Sequence, residues 1–240
     1  MAIACSPALA SVRRFPPSLP LALVLLLLLL GSPIGAASPT PLSLTPDDPG
    51  AGARNAAAIA ALSHTSAAFR IGKGRYYVAN PVAVTAFSGE LVFERAAGLV
   101  ALNASDSVLR FANCSGFAVS GLNVTFATQP MRRVGAKEAV CVYDSVDTLF
   151  RDVYIDGSAA AGLLHCRCLR PVVMAATVRN TMADGVHFCN SANVRVHGVL
   201  TEVGDGRGAG GAIRVGCRVL GLVLAWYTVA RRAACRRRRP

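Results

Sequence analysis

The chain has 240 residues, of which 53% are apolar, with a mean hydropathy of +0.45 and a formal net charge of +12. That is enough apolar material for one packed domain and too much for a disordered chain. The charge sits at the ends: two of the 25 basic residues precede residue 38 and nine follow Gly206. That leaves 14 against all 13 acidic residues in 38–206, a balance that excludes a nucleic-acid partner for the central body.

Residues 1–37 have the layout of a secretory signal peptide. Arg13 and Arg14 precede an unbroken apolar run, Leu21 to Leu30, and "GSPIGAAS" then offers small residues for cleavage. The run is short for a full membrane span, so no stable span is expected once the peptide is removed. The expected location is secreted and extracellular. Three sequons agree with this route, at Asn103, Asn113 and Asn123, each a candidate for glycosylation.

After the acid-bearing "DDPGAGAR", residues from about 54 to 63 read as an Ala-rich helix. "FRIGKGRYYV" reads as a strand pair turning at Gly72-Lys73-Gly74. "VAVTA" and "ELVFERAAGLVAL" then begin a series of short strands.

From Leu109 the chain repeats. Taking Phe117, Thr148, Pro171 and Val194 as origins, apolar residues recur at offsets 0, 2, 5 and 7. A second alternation eight residues earlier reads Leu109/Phe111, Val140/Val142, Leu163/His165 and Val186/Phe188. Of these 24 positions 20 are apolar, in steps of two, which is a strand period and not a helix period. The origins lie 31, 23 and 23 residues apart, and "QPMRRVGA" at 129–136 accounts for the longer interval as an insertion. Four residues before each origin stand Asn113, Asp144, Arg167 and Asn190, three of them turn formers.

Coils of about 23 residues with short strands and turns predict an all-β fold: a right-handed parallel β-helix, a solenoid over 38–206 with a short N-terminal capping helix. Equal offsets then stack in columns one rung apart, about 4.8 Å. Two consequences follow. His165 falls in an inward column and belongs to the core. Cys166 and Cys189 fall in one column on adjacent rungs, close enough for a disulfide in an oxidising compartment. Cys114 and Cys168 also share a column, but two rungs apart.

The stretch "NTMADGVHFCNSANVRVHGVLTEVGDG" carries Asp184 and Asp205, 21 residues apart and so near neighbours in such a winding. Residues 207–240 differ in composition, being Gly-rich, then apolar, then Arg-rich. They read as an atypical, poorly ordered tail and an apparent C-terminal truncation of the coil series. "VLGLVLAWYTVA" within it, at twelve residues, is too short to span a membrane.

The acid-rich start, Ala-rich helix, Gly-x-Tyr strand and coils together resemble the pectin lyase-like superfamily of right-handed β-helix proteins. Within it, "NTMADGVHF" resembles the Asn-Thr-Asp-Gly-Ile-His segment of the polygalacturonase family, with Met182 and Ala183 inserted, and "GDG" at 204–206 resembles that family's Gly-Asp-Asp. The resemblance implies a carbohydrate-active protein that binds or cleaves an acidic, pectin-like polysaccharide. Asp184 and Asp205 would be its catalytic acid and base, and His187 a substrate contact. Inverting hydrolysis needs such a pair, one carboxyl protonating the leaving oxygen while the other directs water to the opposite face.

The sequence departs from that family at three places. Gly206 stands where its second Asp would be, and its later Gly-His-Gly and Arg-x-Lys segments are absent. The alternative is a non-catalytic β-helix that binds polysaccharide or is purely structural. No cofactor or metal is expected: Cys166-Arg167-Cys168 has no second pair for zinc, and no carboxylate cluster suits Ca²⁺. A monomer is expected.

Overall fold

The computed structural model describes residues 38–203, together with the backbone of strands Ile213–Gly216 and Leu220–Arg231. It is a right-handed parallel β-helix of about six turns with one short helix. Every strand pairing in it is parallel, and successive coils pair, as a solenoid requires.

Two sheets run the length of the winding. The six-stranded sheet stacks Val82–Thr85, Leu109–Ala112, Val140–Tyr143, Leu163–Cys166, Val186–Cys189 and Ile213–Gly216. The eleven-stranded sheet is built on the long strands Leu149–Ser158, Val172–Thr181 and Ala192–Val203. Register follows the 23-residue period: Val140 pairs with Leu163 and Leu163 with Val186, Leu149 with Val172 and Val172 with Arg195. The 31-residue step, Leu109 to Val140, carries its extra residues in the loop between Phe126 and Val140.

All 24 inward positions of the repeat are buried, including the polar members Thr148, His165 and Thr201. Like residues stack inside: Phe87, Phe117, Phe111 and Phe150 form a chain of ring contacts with centroids 5.0–6.0 Å apart. Aromatic pairs at such spacings add to the area they bury.

The corners repeat as well. Positive φ recurs in three columns: Asn113, Asp144, Arg167 and Asn190; Gly116, Asp147, Arg170 and Asn193; Gly121, Asp152, Ala175 and Gly198. Gly, Asn and Asp tolerate this left-handed conformation. Arg167 and Arg170 do not favour it, and each is held by a carboxylate one rung below, as described in the next section. Inside the first corner a buried ladder alternates Cys114, Ser145, Cys168 and Ser191. Ser145 Oγ accepts the Cys114 N–H and Ser191 Oγ the Cys168 N–H, both at 3.1 Å, so the buried turn donors are satisfied.

Helix α1, Gly52–Ala60, covers the first coil with Ile59, and Leu62 just beyond it is also buried in the core. It begins two residues before the expected start. Asp48 caps the preceding 3₁₀ turn Pro49–Ala51 by accepting the Gly50 N–H at 2.8 Å, and that turn leads directly into the helix. Buried Asn55 ties α1 to the chain on either side, bonding the Thr45 backbone and the Tyr77 carbonyl.

Two expectations need correction. Ala68–Ile71 and Gly74–Val78 both form, but not as a pair with each other: the first pairs with Glu90–Phe93 and the second with Ala97–Ala101. The Gly72-Lys73 turn is therefore a corner of the coil and not a hairpin. In the region assigned to a tail, Ile213–Gly216 and Leu220–Arg231 continue the two sheets, pairing with Val186–Cys189 and Ala192–Val203. The column of Val194 continues at Leu222, a step of 28 residues and so five longer than the 23-residue period. Among the described residues no helix is long and apolar enough to cross a membrane.

Candidate functional site

Asp184 stands just before strand Val186–Cys189, at the edge of the six-stranded sheet. Its position is set by the wall of the coil. The Gly162 N–H donates to the Asp184 carbonyl at 3.0 Å, and the Ala139 N–H to the Ala161 carbonyl at 3.1 Å. These bonds stack Asp184 over Ala161, and Ala161 over Glu138. Glu138 and Asp184 therefore share a column two rungs apart, about 10 Å along the axis at the usual strand spacing. Both are nearly buried, Glu138 at 8% exposure and Asp184 at 7%, with only a methyl side chain between them.

The outward face of the strands lies beside this column. His187 presents Nδ1 3.7 Å from Asp184 Oδ2. One rung below Leu164, Cys141 Sγ contacts Glu138 Oε2 at 3.5 Å and Ser107 Oγ at 3.5 Å. Burial, reinforced by the Glu138 charge, pushes the Cys141 thiol up to about 12, so it stays a protonated donor. Beyond it Asp106 accepts from Arg110 and Lys137, both at 2.9 Å. Burial opposes ionisation of Asp106, but the Lys137 and Ser107 hydrogen bonds and the Arg110 charge outweigh it and hold the carboxyl below its usual range. The result is a polar ledge along the coil axis, cationic at Arg110 and Lys137, acidic at Glu138 and Asp184. Two nearly buried carboxyls and an imidazole on one ledge can move protons to and from a chain laid along it.

Of the residues singled out in the sequence, Asp184 and His187 come together here. Asp205 lies outside the described residues. Cys166 and Cys189 are register partners on the outer face of the same sheet, as the column reading requires, and stand as free thiols. Burial and the neighbouring Cys189 push the Cys166 thiol up to about 11. Asn103 and Asn113 are exposed; Asn123 is half-buried beside Gly98, with its Oδ1 enclosed and unpartnered. Glu138 was missed, although the repeat holds its signal: ten residues before the four origins stand Ser107, Glu138, Ala161 and Asp184.

On the corner between the two sheets, the exposed turns carry paired charges. Arg167 binds Asp144 through two bonds of 2.6 and 2.7 Å, and Arg170 binds Asp147 through two of 2.5 and 2.6 Å. The hydrogen bonds from these guanidinium groups hold both carboxyls below their usual range.

No family model matches the chain, and no curated protein matches it in sequence. Among solved structures it is similar to a protein of Parabacteroides merdae provisionally assigned as a glycosyl hydrolase. The TM-score is 0.52 at 11% identity, over 67% of this chain and 82% of that one. The likeness is one of fold.

Proposed function

We propose that this is a secreted, carbohydrate-active β-helix protein that binds or cleaves an acidic, pectin-like cell-wall polysaccharide along the Glu138–Asp184 ledge. The observation that carries the reading is the single column holding two nearly buried carboxyls, with His187 beside one of them. Support comes also from the fold shared with a provisionally assigned glycosyl hydrolase. In an inverting cleavage Asp184 acts as one member of the acid/base pair, and Asp205, as the polygalacturonase resemblance implies, as the other; His187 contacts the sugar. Glu138 is a second candidate for the partner: its place in the column is two rungs, about 10 Å, along the axis, just beyond the ~6.5–9.5 Å between the carboxyl groups of an inverting pair, so the role requires the two side chains to lean towards each other.

The alternative is a non-catalytic polysaccharide binder, favoured by Gly206 in place of the second family Asp. Release of reducing ends from polygalacturonate by the purified protein separates the two. Cleavage by the wild type, lost at least a hundredfold in Asp184→Asn, supports the hydrolase. Absence of any release from folded wild type leaves the binder. In Glu138→Gln, an equal loss assigns the partner role to Glu138, and full activity returns it to Asp205.

A further inference from the structure

A groove of about 460 Å³ opens on the eleven-stranded sheet, away from the carboxylate ledge. Its floor is an outward column of the long strands, Leu149 below Val172 below Arg195, fixed by register. Its wall is the corner column Asp147, Arg170 and Asn193, all in the left-handed conformation and one rung apart. Arg170 is neutralised by its two bonds to Asp147. Exposed Arg195 has no carboxylate partner among the described residues, because the position below it in its column is Val172. The next outward column adds Arg151, which lies 3.8 Å from Asp152, then Met174 and His197. The groove is thus an apolar strip that ends on an uncompensated guanidinium, with an amide beside it.

We propose that this groove binds a carboxylate-bearing sugar of an acidic polysaccharide, with Arg195 as the anion anchor. This rests on the carbohydrate reading above and adds a second binding surface, remote from the chemistry. A planar carboxylate matches the guanidinium fork with two parallel bonds. The half-buried Leu149 and Val172 side chains offer an apolar bed for the C–H face of a sugar ring, and the Asn193 amide can both donate to and accept from hydroxyls. Because the rungs repeat at about 4.8 Å, the groove follows the coil axis and suits a linear chain.

Calorimetric titration with a purified oligogalacturonate tests this, alongside a neutral oligosaccharide of equal length and a sulfated one. Binding of the uronate that weakens with added salt, and at least tenfold in Arg195→Gln with part regained in Arg195→Lys, is the expected result. Asn193→Asp, which sets a carboxylate beside Arg195, produces the same loss and serves if Arg195→Gln melts below the wild type. Unchanged affinity in both groove variants overturns the proposal, as does equal binding of the neutral chain or tighter binding of the sulfated one. The two readings fail separately. Uronate binding without cleavage leaves the groove standing and removes the hydrolase. Cleavage that depends on Asp184, with Arg195→Gln binding like the wild type, does the reverse.

Discussion

A single rung shows how differently the two sides of the wall behave. On strand Leu163–Cys166, His165 points in and Cys166 points out. His165 lies between Phe150 and Phe188, at ring centroid distances of 5.3 and 5.4 Å, fully buried, with neither ring nitrogen bonded. Outside, Cys166 stands beside Cys189 in register, and the next residue, Arg167, reaches down to Asp144. In a solenoid each residue's main neighbour is the one a full coil away. On the inward face of this strand the neighbours are apolar, and the imidazole of His165 has nothing to bond. Outside, the neighbour can be reactive or oppositely charged, and solvent weakens whatever the pair gains.

The largest test acts on the outside. Oxidised glutathione should convert Cys166 and Cys189 to a disulfide by thiol–disulfide exchange, read as a mass loss of two hydrogens that Cys189→Ser abolishes. Closing a loop of this length stabilises the fold by about 3 kcal/mol, measured as a melting shift reversed by reductant. Thiols that remain free, or a bond that lowers the melting point, would mean that the register does not bring the two sulfurs into bonding geometry.

The second acts on the inside. Burial depresses the His165 pKa to about 3 from an ordinary 6.5, so the unfolded chain binds the proton first. Stability attributable to this residue is intact above pH 6.5 and is lost as the pH falls from there towards 3. Between pH 7.5 and 5 the loss is about 2 kcal/mol. Replacing the imidazole in His165→Phe should raise stability at pH 7.5, by removing two unbonded polar atoms, and flatten the acid slope. Denaturant titrations at both pH values decide it; a variant with the wild-type slope would place the acid-sensitive group elsewhere.

The smallest effect is expected at the corner. Arg167→Gln removes both bonds to Asp144, yet both groups are well exposed and such pairs contribute little. The variant should melt only slightly lower than wild type, and the gap should close in high salt. A large, salt-independent drop would show that the pair, and not only the backbone turn, holds Arg167 in its left-handed conformation.

The amino-acid sequence alone determined the winding and its contents. The 23-residue period set which residues stack, and strand alternation set which of them face inward; hence the burial of His165 and the pairing of Cys166 with Cys189 in register were legible before any coordinates. The insertion at 129–136 was legible too, because it interrupts the 23-residue step that the next two coils keep. The tertiary structure decided whatever depends on partners outside the repeat. Local pattern shows that Ala68–Ile71 and Gly74–Val78 are strands, but not whether each pairs with the other or with the coil above. The last coil contains an insertion that shifts its register to Leu222, and a dense apolar run fits any template. Glu138 came under Asp184, and Arg195 over Val172, by the same stacking rule. Their significance emerged only with burial and charge pairing, which are set jointly by side chains from several coils.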